Sequence, residues 1–236
     1  RVLWRDAARD DLCGERGAAV WHAHTTRSVG DIRRLVDLVR RREPLVLFPE
    51  GSVSSNGDIG HVGAILDLSD RRGEPAPIRP VGIAYDPLRR GRTLAAVSVG
   101  DPVVSDGGDI GPLVSLGLRR ATPVTVAQVV ARTLAEVVGE GGHVIEPGRL
   151  LDTLTDTAAR ARRDGRPVSS VLASPRSRRR AVTRALDALR ARGCISGAAP
   201  GPLRVEPDVV RADPVVSRLV HEDRAVWHAD AARRDP

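Results

Sequence analysis

The sequence predicts an α/β fold in which a mixed or largely parallel sheet is flanked by helices and followed by a mostly helical region. Two observations lead to this prediction. Short apolar runs alternate with helical periodicity up to residue 99, and helical spacing dominates from residue 122 onward. We therefore expect an α/β domain over residues 1–120 and a helical, Arg-rich region over residues 121–236.

The first elements are predicted by apolar spacing. Residues 18–23 predict a short strand, and residues 31–42 predict a helix that begins after a capping Asp31 and ends in a run of Arg. Residues 45–48 form an apolar run typical of a buried strand, which ends in a polar turn. A short helix is expected over residues 62–68.

Two further strands are predicted at residues 78–85 and 94–99, with a hairpin-like turn between them. Residues 105–118 are rich in Gly and polar residues, and we expect a mobile loop there. Helices are predicted over residues 126–138, 147–161 and 178–192, the last of them ending at Gly193. Residues 203–205 predict one more short strand.

Composition excludes several functional classes. Only five of the 236 residues are aromatic, so a nucleic-acid platform of stacked rings is not expected. Cys13 and Cys194 stand apart from each other and from any His at ligand spacing, which argues against a metal site or a disulfide framework. No run of 18 apolar residues and no signal peptide is present, so we expect a cytoplasmic protein with at most peripheral membrane contact.

The polar turn after the apolar run at residues 45–48 is the most informative segment. It reads Phe48-Pro49-Glu50-Gly51-Ser52. A carboxylate, a flexible glycine and a hydroxyl at a strand end hold a polar head group through hydrogen bonds and exposed backbone N–H groups. Taken alone, this segment is equally typical of an ordinary turn between a strand and a loop.

The order of four segments resembles the glycerolipid acyltransferases, the family that includes the glycerol-3-phosphate and lysophosphatidate acyltransferases. Residues 20–27 look like the family's second block, a strand ending in Arg, and residues 48–52 look like its third, Phe-Pro-Glu-Gly-Thr/Ser. Residues 78–85 look like the fourth block, and the Gly-Asp-Pro-Val turn at residues 100–103 matches the turn that follows it. The match is closest to the glycerol-3-phosphate branch.

The resemblance implies an enzyme of phospholipid biosynthesis. Such an enzyme moves a fatty acyl group from acyl-CoA or acyl carrier protein to a hydroxyl of glycerol 3-phosphate or a lysophospholipid. It implies that Arg27, Glu50, Gly51 and Ser52 bind substrate and that Phe48, Pro49 and Pro80 support them. It implies no metal and no cofactor beyond the acyl donor. Arg27 would hold the acceptor phosphate, for which a forked guanidinium is well suited.

The sequence departs from the family pattern in two places. The third block usually continues with Arg, but Val53 follows Ser52 here. The first block is His-x4-Asp, whose His is the base, and none of the six His residues has Asp five positions later. We expect this block to lie upstream of Arg1, a degenerate homologue being the alternative. Since a positioned base contributes roughly 10²–10⁴ in rate, the chain as given should bind substrate but scarcely turn it over.

The C-terminal region carries the positive charge. Residues 160–192 contain 11 Arg against two Asp, within a chain of net charge +7 that has no Lys. This cluster predicts attraction to anionic phospholipid, acyl carrier protein or nucleic acid, although a solvated helix face is at least as good an interpretation. Residues 178–205 also resemble the recognition helix and wing of a winged-helix DNA-binding module, which is the rival interpretation. On balance a nucleic-acid partner is not expected.

Overall fold

The computed structural model describes residues 41, 77–88, 93–104, 110–198 and 200–228, and the structural statements below concern these residues. They form two small sheets and six α-helices. The predicted α/β class and the helical character of the C-terminal region are confirmed. The elements predicted at residues 18–23, 45–48 and 62–68, and nearly all of the helix at 31–42, lie outside the described residues. The domain boundary near residue 120 stays a prediction.

Strands β1 (Val81–Asp86) and β2 (Leu94–Val99) form an antiparallel hairpin in which Val81 lies opposite Val99. β2 has the predicted bounds, and β1 begins three residues later than predicted. The expected mixed or largely parallel sheet is wrong for the described residues, because both of their sheets are antiparallel. The connection between β1 and β2 is too short for a parallel crossover, which needs about a dozen residues or more.

Helix α1 (Ile110–Ala121) follows the hairpin. The prediction of a mobile loop over residues 105–118 is therefore wrong from residue 110 onward. Ile110, Val114 and Ala121 are buried along one side of the helix. Two glycines and Pro112 obscure this spacing in the sequence, but a proline in the first helical turn removes no intrahelical hydrogen bond.

Glycine allows β1 to lie directly on the end of α1. A Cβ added to Gly82 would overlap the backbone of Ala121 and Thr122. Any other residue at this position would therefore have to push the strand away from the helix.

Helix α2 (Val126–Gly139) is the centre of the helical region, and ten of its residues are buried. Its first turn is closed by a capping box: Thr125 Oγ1 accepts the backbone N–H of Gln128, and the Gln128 side-chain oxygen accepts the backbone N–H of Thr125. This arrangement satisfies two N–H groups that would otherwise be buried without partners.

Helices α3 (Pro147–Arg163) and α4 (Pro175–Ala191) also form where the sequence predicts them. α4 begins three residues earlier than predicted, because Ser174 caps it and Pro175 occupies its first position. Gly193 follows its end with a φ of 72°, as expected for a glycine that terminates a helix.

Three short strands complete this region: β3 (Val144–Ile145), β4 (Ile195–Ser196) and β5 (Leu203–Val205). They form an antiparallel sheet in the order β3-β5-β4. β5 is confirmed as predicted. β3 and β4 were not predicted, because two residues are too few to show an alternating pattern.

Helices α5 (Pro207–Ala212) and α6 (Pro214–His228) close the described fold and were also not predicted. Asp213 lies between them, and its Oδ1 accepts the backbone N–H groups of Val215 and Val216, which caps α6. α6 buries three apolar side chains in the same core as α2. Within the described ranges, no helix combines the length and apolar character needed to cross a bilayer.

Candidate functional site

Most of the predicted site residues cannot be placed against one another. Arg27, Phe48, Pro49, Glu50, Gly51 and Ser52 lie outside the described residues, and their grouping around one cleft stays a prediction. Pro80 is the exception. It belongs to the segment that looks like the fourth block of the acyltransferases.

Pro80 is buried beside β1, where it joins the hairpin to α1. Its carbonyl accepts the backbone N–H of Gly100 at 2.8 Å. Its ring lies so close to Gly117 that an added Cβ there would be 2.6 Å from the Pro80 Cγ. Ile78 and Val103 exchange two backbone N–H to carbonyl hydrogen bonds, of 3.0 and 2.7 Å, which extend the pairing beyond the two strands. The fourth-block segment and the Gly-Asp-Pro-Val turn are therefore hydrogen-bonded to each other.

One face of the hairpin is apolar and exposed. The side chains on it are Val81, Ile83 and Tyr85 of β1 and Val97 and Val99 of β2, and between 41% and 62% of each residue's surface is accessible. The opposite face of β1 is buried through Gly82, Ala84 and Asp86. The hairpin thus presents an apolar surface to which the fourth-block segment itself contributes three side chains.

A second surface is basic. Four exposed arginines lie on one side of α4, three or four residues from one another except for one adjacent pair. We call them the α4 basic face: Arg176, Arg179, Arg180 and Arg184. Val182, Leu186 and Leu189 lie on the opposite side in the core. None of the four guanidinium groups has a carboxylate partner among the described residues. They hold positive charge that the described fold does not neutralise.

The other arginines of residues 160–192 are mostly engaged within the fold. Arg178 donates to the Leu172 carbonyl at 2.9 Å, and Arg190 pairs with Asp187 at 2.9 Å. Arg192 pairs with Asp213 at 3.0 Å. Arg160 and Arg166 lie over the ring of Trp227 at 4.5 and 5.3 Å. The cluster that the sequence presents as one run is therefore divided into internal and outward-facing members.

The elements around α4 follow the order helix, strand, helix, helix, strand, strand, from α2 to β5. This is the order of a winged-helix module, with α4 in the place of the recognition helix and residues 197–202 in the place of the wing. The helix pair before α4 is α2 and α3, at the positions where the sequence predicts two helices. One feature departs from the motif: residues 164–174 connect α3 to α4, whereas helix-turn-helix connections have three or four residues.

A cavity of about 780 Å³ lies among α2, α3 and α6. Arg132 lies within it and contacts Asp223 and Thr157, both at 3.0 Å. The Trp227 indole N–H donates to the second Asp223 oxygen at 3.2 Å. We call these four residues the Arg132 network. Because its members satisfy one another, the network joins three helices and leaves little hydrogen-bonding capacity for a ligand.

The Arg132 network contains a carboxyl group, that of Asp223, whose pKa is changed by burial. Burial raises the pKa of Asp223 above its ordinary value, although the Arg132 charge and the Trp227 N–H act in the opposite direction. An ion pair alone would lower this pKa, so removal from water outweighs the pairing. The sequence alone does not reveal this pair, because Arg132 and Asp223 are 91 residues apart.

Cys194 is not suited to nucleophilic chemistry. Burial raises the pKa of its thiol, and the neighbouring Asp213 adds to this effect while Arg192 opposes it. Burial alone would also raise the pKa of Asp213, but hydrogen bonds from Val216, Arg192 and Val215 bring it below its ordinary value. Among the described residues, no group of three or more potential metal ligands is present.

Comparison with protein-family models, with curated proteins and with solved structures gave no match.

Proposed function

We propose that this protein is a glycerolipid acyltransferase that moves a fatty acyl group from acyl-CoA or acyl carrier protein to glycerol 3-phosphate or a lysophospholipid. The observation that carries the proposal is the pairing of residues 78–86 with residues 94–103. These segments look like the family's fourth block and the turn that follows it, and they lie together in one hairpin. The other two family-like segments precede them in the family's order.

The exposed apolar face of the hairpin supports the same proposal. An acyltransferase has to accept a long hydrocarbon chain, and contact with apolar side chains removes that chain from water at about 25 cal/mol per Å². The five exposed side chains of β1 and β2 offer such a surface, and three of them belong to the fourth-block segment.

In the proposed reaction, the acceptor hydroxyl oxygen forms a bond to the thioester carbonyl carbon, and the carbon–sulfur bond breaks. The thiol leaves with the proton that the hydroxyl gives up. Arg27 holds the acceptor phosphate, and residues 50–52 hold the polar head group through the Ser52 hydroxyl and backbone N–H groups. No His of this chain stands at the family's His-x4-Asp spacing, so binding should be measurable while turnover is slight.

The proposal is tested by binding rather than by turnover. Titration of the chain with glycerol 3-phosphate should detect binding, and Arg27→Gln should weaken it by about tenfold or more, the value of one lost charge-assisted contact. Arg41→Gln is the matched control, because Arg41 is an exposed arginine in a turn. The proposal is contradicted if neither glycerol 3-phosphate nor acyl-CoA binds, or if the two variants weaken binding equally.

The proposed enzyme also needs access to lipid. We infer peripheral attachment to the anionic cytoplasmic face of a membrane through the α4 basic face. Four arginines near such a surface contribute about 1 kcal/mol each at low salt, and this contribution falls as salt screens it.

A second candidate function is duplex DNA binding, which the winged-helix order of α2 to β5 favours. Three of the four arginines, Arg176, Arg179 and Arg180, lie in the N-terminal half of α4, the part of a recognition helix that contacts the major groove. For four neutralised phosphates, the logarithm of the binding constant should fall with the logarithm of salt at a slope of about −3.6.

One pair of variants separates these partners. Replacing Arg176 and Arg179 by Gln removes half of the α4 basic face, and replacing Arg162 and Arg163 by Gln makes the same charge change at the exposed end of α3. If only the first variant loses sedimentation with anionic vesicles, the membrane role is supported. If it instead loses duplex DNA binding, the DNA-binding module is supported. Equal effects of both variants would contradict a specific role for α4.

A further inference from the structure

A smaller cleft lies between the end of β1 and the first half of α4. It has a volume of about 260 Å³ and is lined by Asp86 of β1, by Ser170 of the 3₁₀ turn Ser170–Leu172, and by Ser177, Arg180 and Arg184 of α4. We call it the β1–α4 cleft. Its described lining residues have no part in the acyltransferase site proposed above.

Two features of the β1–α4 cleft attract an anion. Arg180 and Arg184 are four residues apart on α4, so both guanidinium groups lie on one side of the helix. No hydrogen bond or ion pair holds either group to another described residue. Like charges at this spacing repel each other, and Arg176 extends the same row. A bound anion would relieve this repulsion.

The cleft also contains hydroxyl donors. Ser174 Oγ accepts the backbone N–H of Ser177 at 3.2 Å and donates its own hydrogen to Ser177 Oγ at 2.9 Å. The hydroxyl hydrogen of Ser177 therefore remains to be donated. Ser177 lies in the first turn of α4, near the positive end of the helix dipole, and this position favours an anionic acceptor for its hydroxyl hydrogen.

Asp86 and the size of the cleft restrict the ligand further. A carboxylate among the lining groups opposes a purely anionic ligand and favours one that carries a hydrogen-bond donor beside its negative charge. The volume is slightly smaller than the usual range for small-molecule sites, about 300–1,000 Å³, and excludes a whole nucleotide-bearing coenzyme.

We propose that the β1–α4 cleft binds the phosphoryl group of a small phosphorylated alcohol. Arg180, Arg184 and Ser177 hold the phosphoryl oxygens, and Asp86 accepts a hydrogen bond from a neighbouring hydroxyl. Guanidinium forks are well matched to phosphate oxygens. This site does not depend on acyl transfer and stands or falls separately from it.

The test is calorimetric titration of the intact chain with inorganic phosphate, glycerol 3-phosphate and glycerol. We expect glycerol 3-phosphate to bind more tightly than inorganic phosphate, and glycerol not to bind. Replacing Arg180 and Arg184 by Gln should weaken binding at the cleft by about tenfold or more. Replacing Arg176 and Arg179 by Gln is the matched control, since it makes the same charge change on the same helix outside the cleft. This control should change affinity less than about twofold.

Several outcomes would overturn the proposal. One is an absence of phosphate binding at millimolar concentration. Another is an equal loss of affinity in the two double variants, which would mean that the net charge of α4 determines binding and the cleft does not. Asp86→Asn removes one negative charge and should strengthen the binding of inorganic phosphate. If this variant keeps its melting temperature but binds phosphate more weakly, that result also counts against the proposal. The single variants R180Q and R184Q repeat the test if the double variant does not fold.

The result is distinguishable from a failure of the proposed function. Loss of glycerol 3-phosphate binding in Arg27→Gln, with full binding in the double variant of Arg180 and Arg184, would refute the cleft and support the acyltransferase site. The opposite pattern would support the cleft and count against the role of Arg27.

Discussion

Replacing Asp223 by Ala tests how much the Arg132 network contributes to stability. The Asp223 side chain is 3% exposed and accepts hydrogen bonds from Arg132 and from the Trp227 indole. Its removal leaves a guanidinium and an indole N–H without their main partner. Removing one member of a fully buried ion pair costs about 3–5 kcal/mol.

Two observations place the expected cost below that range. Arg132 is 23% exposed and keeps contacts with Glu136 at 3.5 Å and with Thr157, so it is not left wholly unpaired. The raised pKa of Asp223 shows that removal from water already offsets part of the gain from pairing. We therefore expect the free energy of unfolding to fall by about 2–3 kcal/mol, or the melting temperature by about 4–12 °C.

The assay is equilibrium unfolding in urea followed by far-UV circular dichroism, with the midpoint and slope fitted together. Asp156→Ala is the matched control, because Asp156 lines the same cavity but is exposed. We expect this control to change stability by less than about 0.5 kcal/mol. A loss of the same size in both variants, or none in Asp223→Ala, would refute the reasoning.

The pH dependence provides an independent check. Because the folded-state pKa of Asp223 is raised, its contribution to stability is complete below the ordinary value of about 4 and is lost as pH rises through the folded-state pKa. Asp223→Asn removes this titration. The stability of the original chain relative to Asp223→Asn should therefore decrease between pH 4 and pH 7, and an increase would contradict the assigned direction.

Two further predictions concern the hairpin and the buried thiol. Gly82→Ala should lower the free energy of unfolding by about 2–3 kcal/mol because its Cβ overlaps the end of α1, whereas Gly139→Ala, with open space around it, should raise it by about 0.5–1 kcal/mol in the same urea assay. In a Cys13→Ser variant, Cys194 should react with a thiol reagent at pH 8 far more slowly in the folded chain than in urea, because it is buried and its pKa is raised. Equal rates in both conditions would show that the thiol is accessible.

The helices and strands that the sequence predicts correctly are those whose apolar pattern lies within the element itself. β2, α2 and β5 formed as expected, since apolar side chains recur within each at the spacing of its own secondary structure. The predicted start of α4 was three residues late because the basic run begins with weak apolar spacing, although Ser174 and Pro175 mark the start. Residues 105–118 predict a loop because Gly and Pro interrupt the apolar spacing, whereas packing against β1 stabilises the helix that begins at Ile110.

In the candidate sites, too, some features are visible in the sequence and others depend on contacts between distant residues. The run of arginines at residues 160–192 is visible in the sequence. Which of them are engaged within the fold and which are left without a partner depends on residues up to 67 positions away, such as Trp227 beside Arg160. The β1–α4 cleft and the Arg132 network likewise join residues that no short motif connects.

Composition, charge and the order of the family-like segments could be established from the chain of letters alone, because each depends only on residue identity and spacing. The antiparallel direction of the sheets, the two-residue strands and the pairing of Arg132 with Asp223 depended on tertiary structure. The physical reason is that local periodicity determines which face of an element is apolar. The packing of distant elements then decides which faces meet and which charges are left exposed to a ligand.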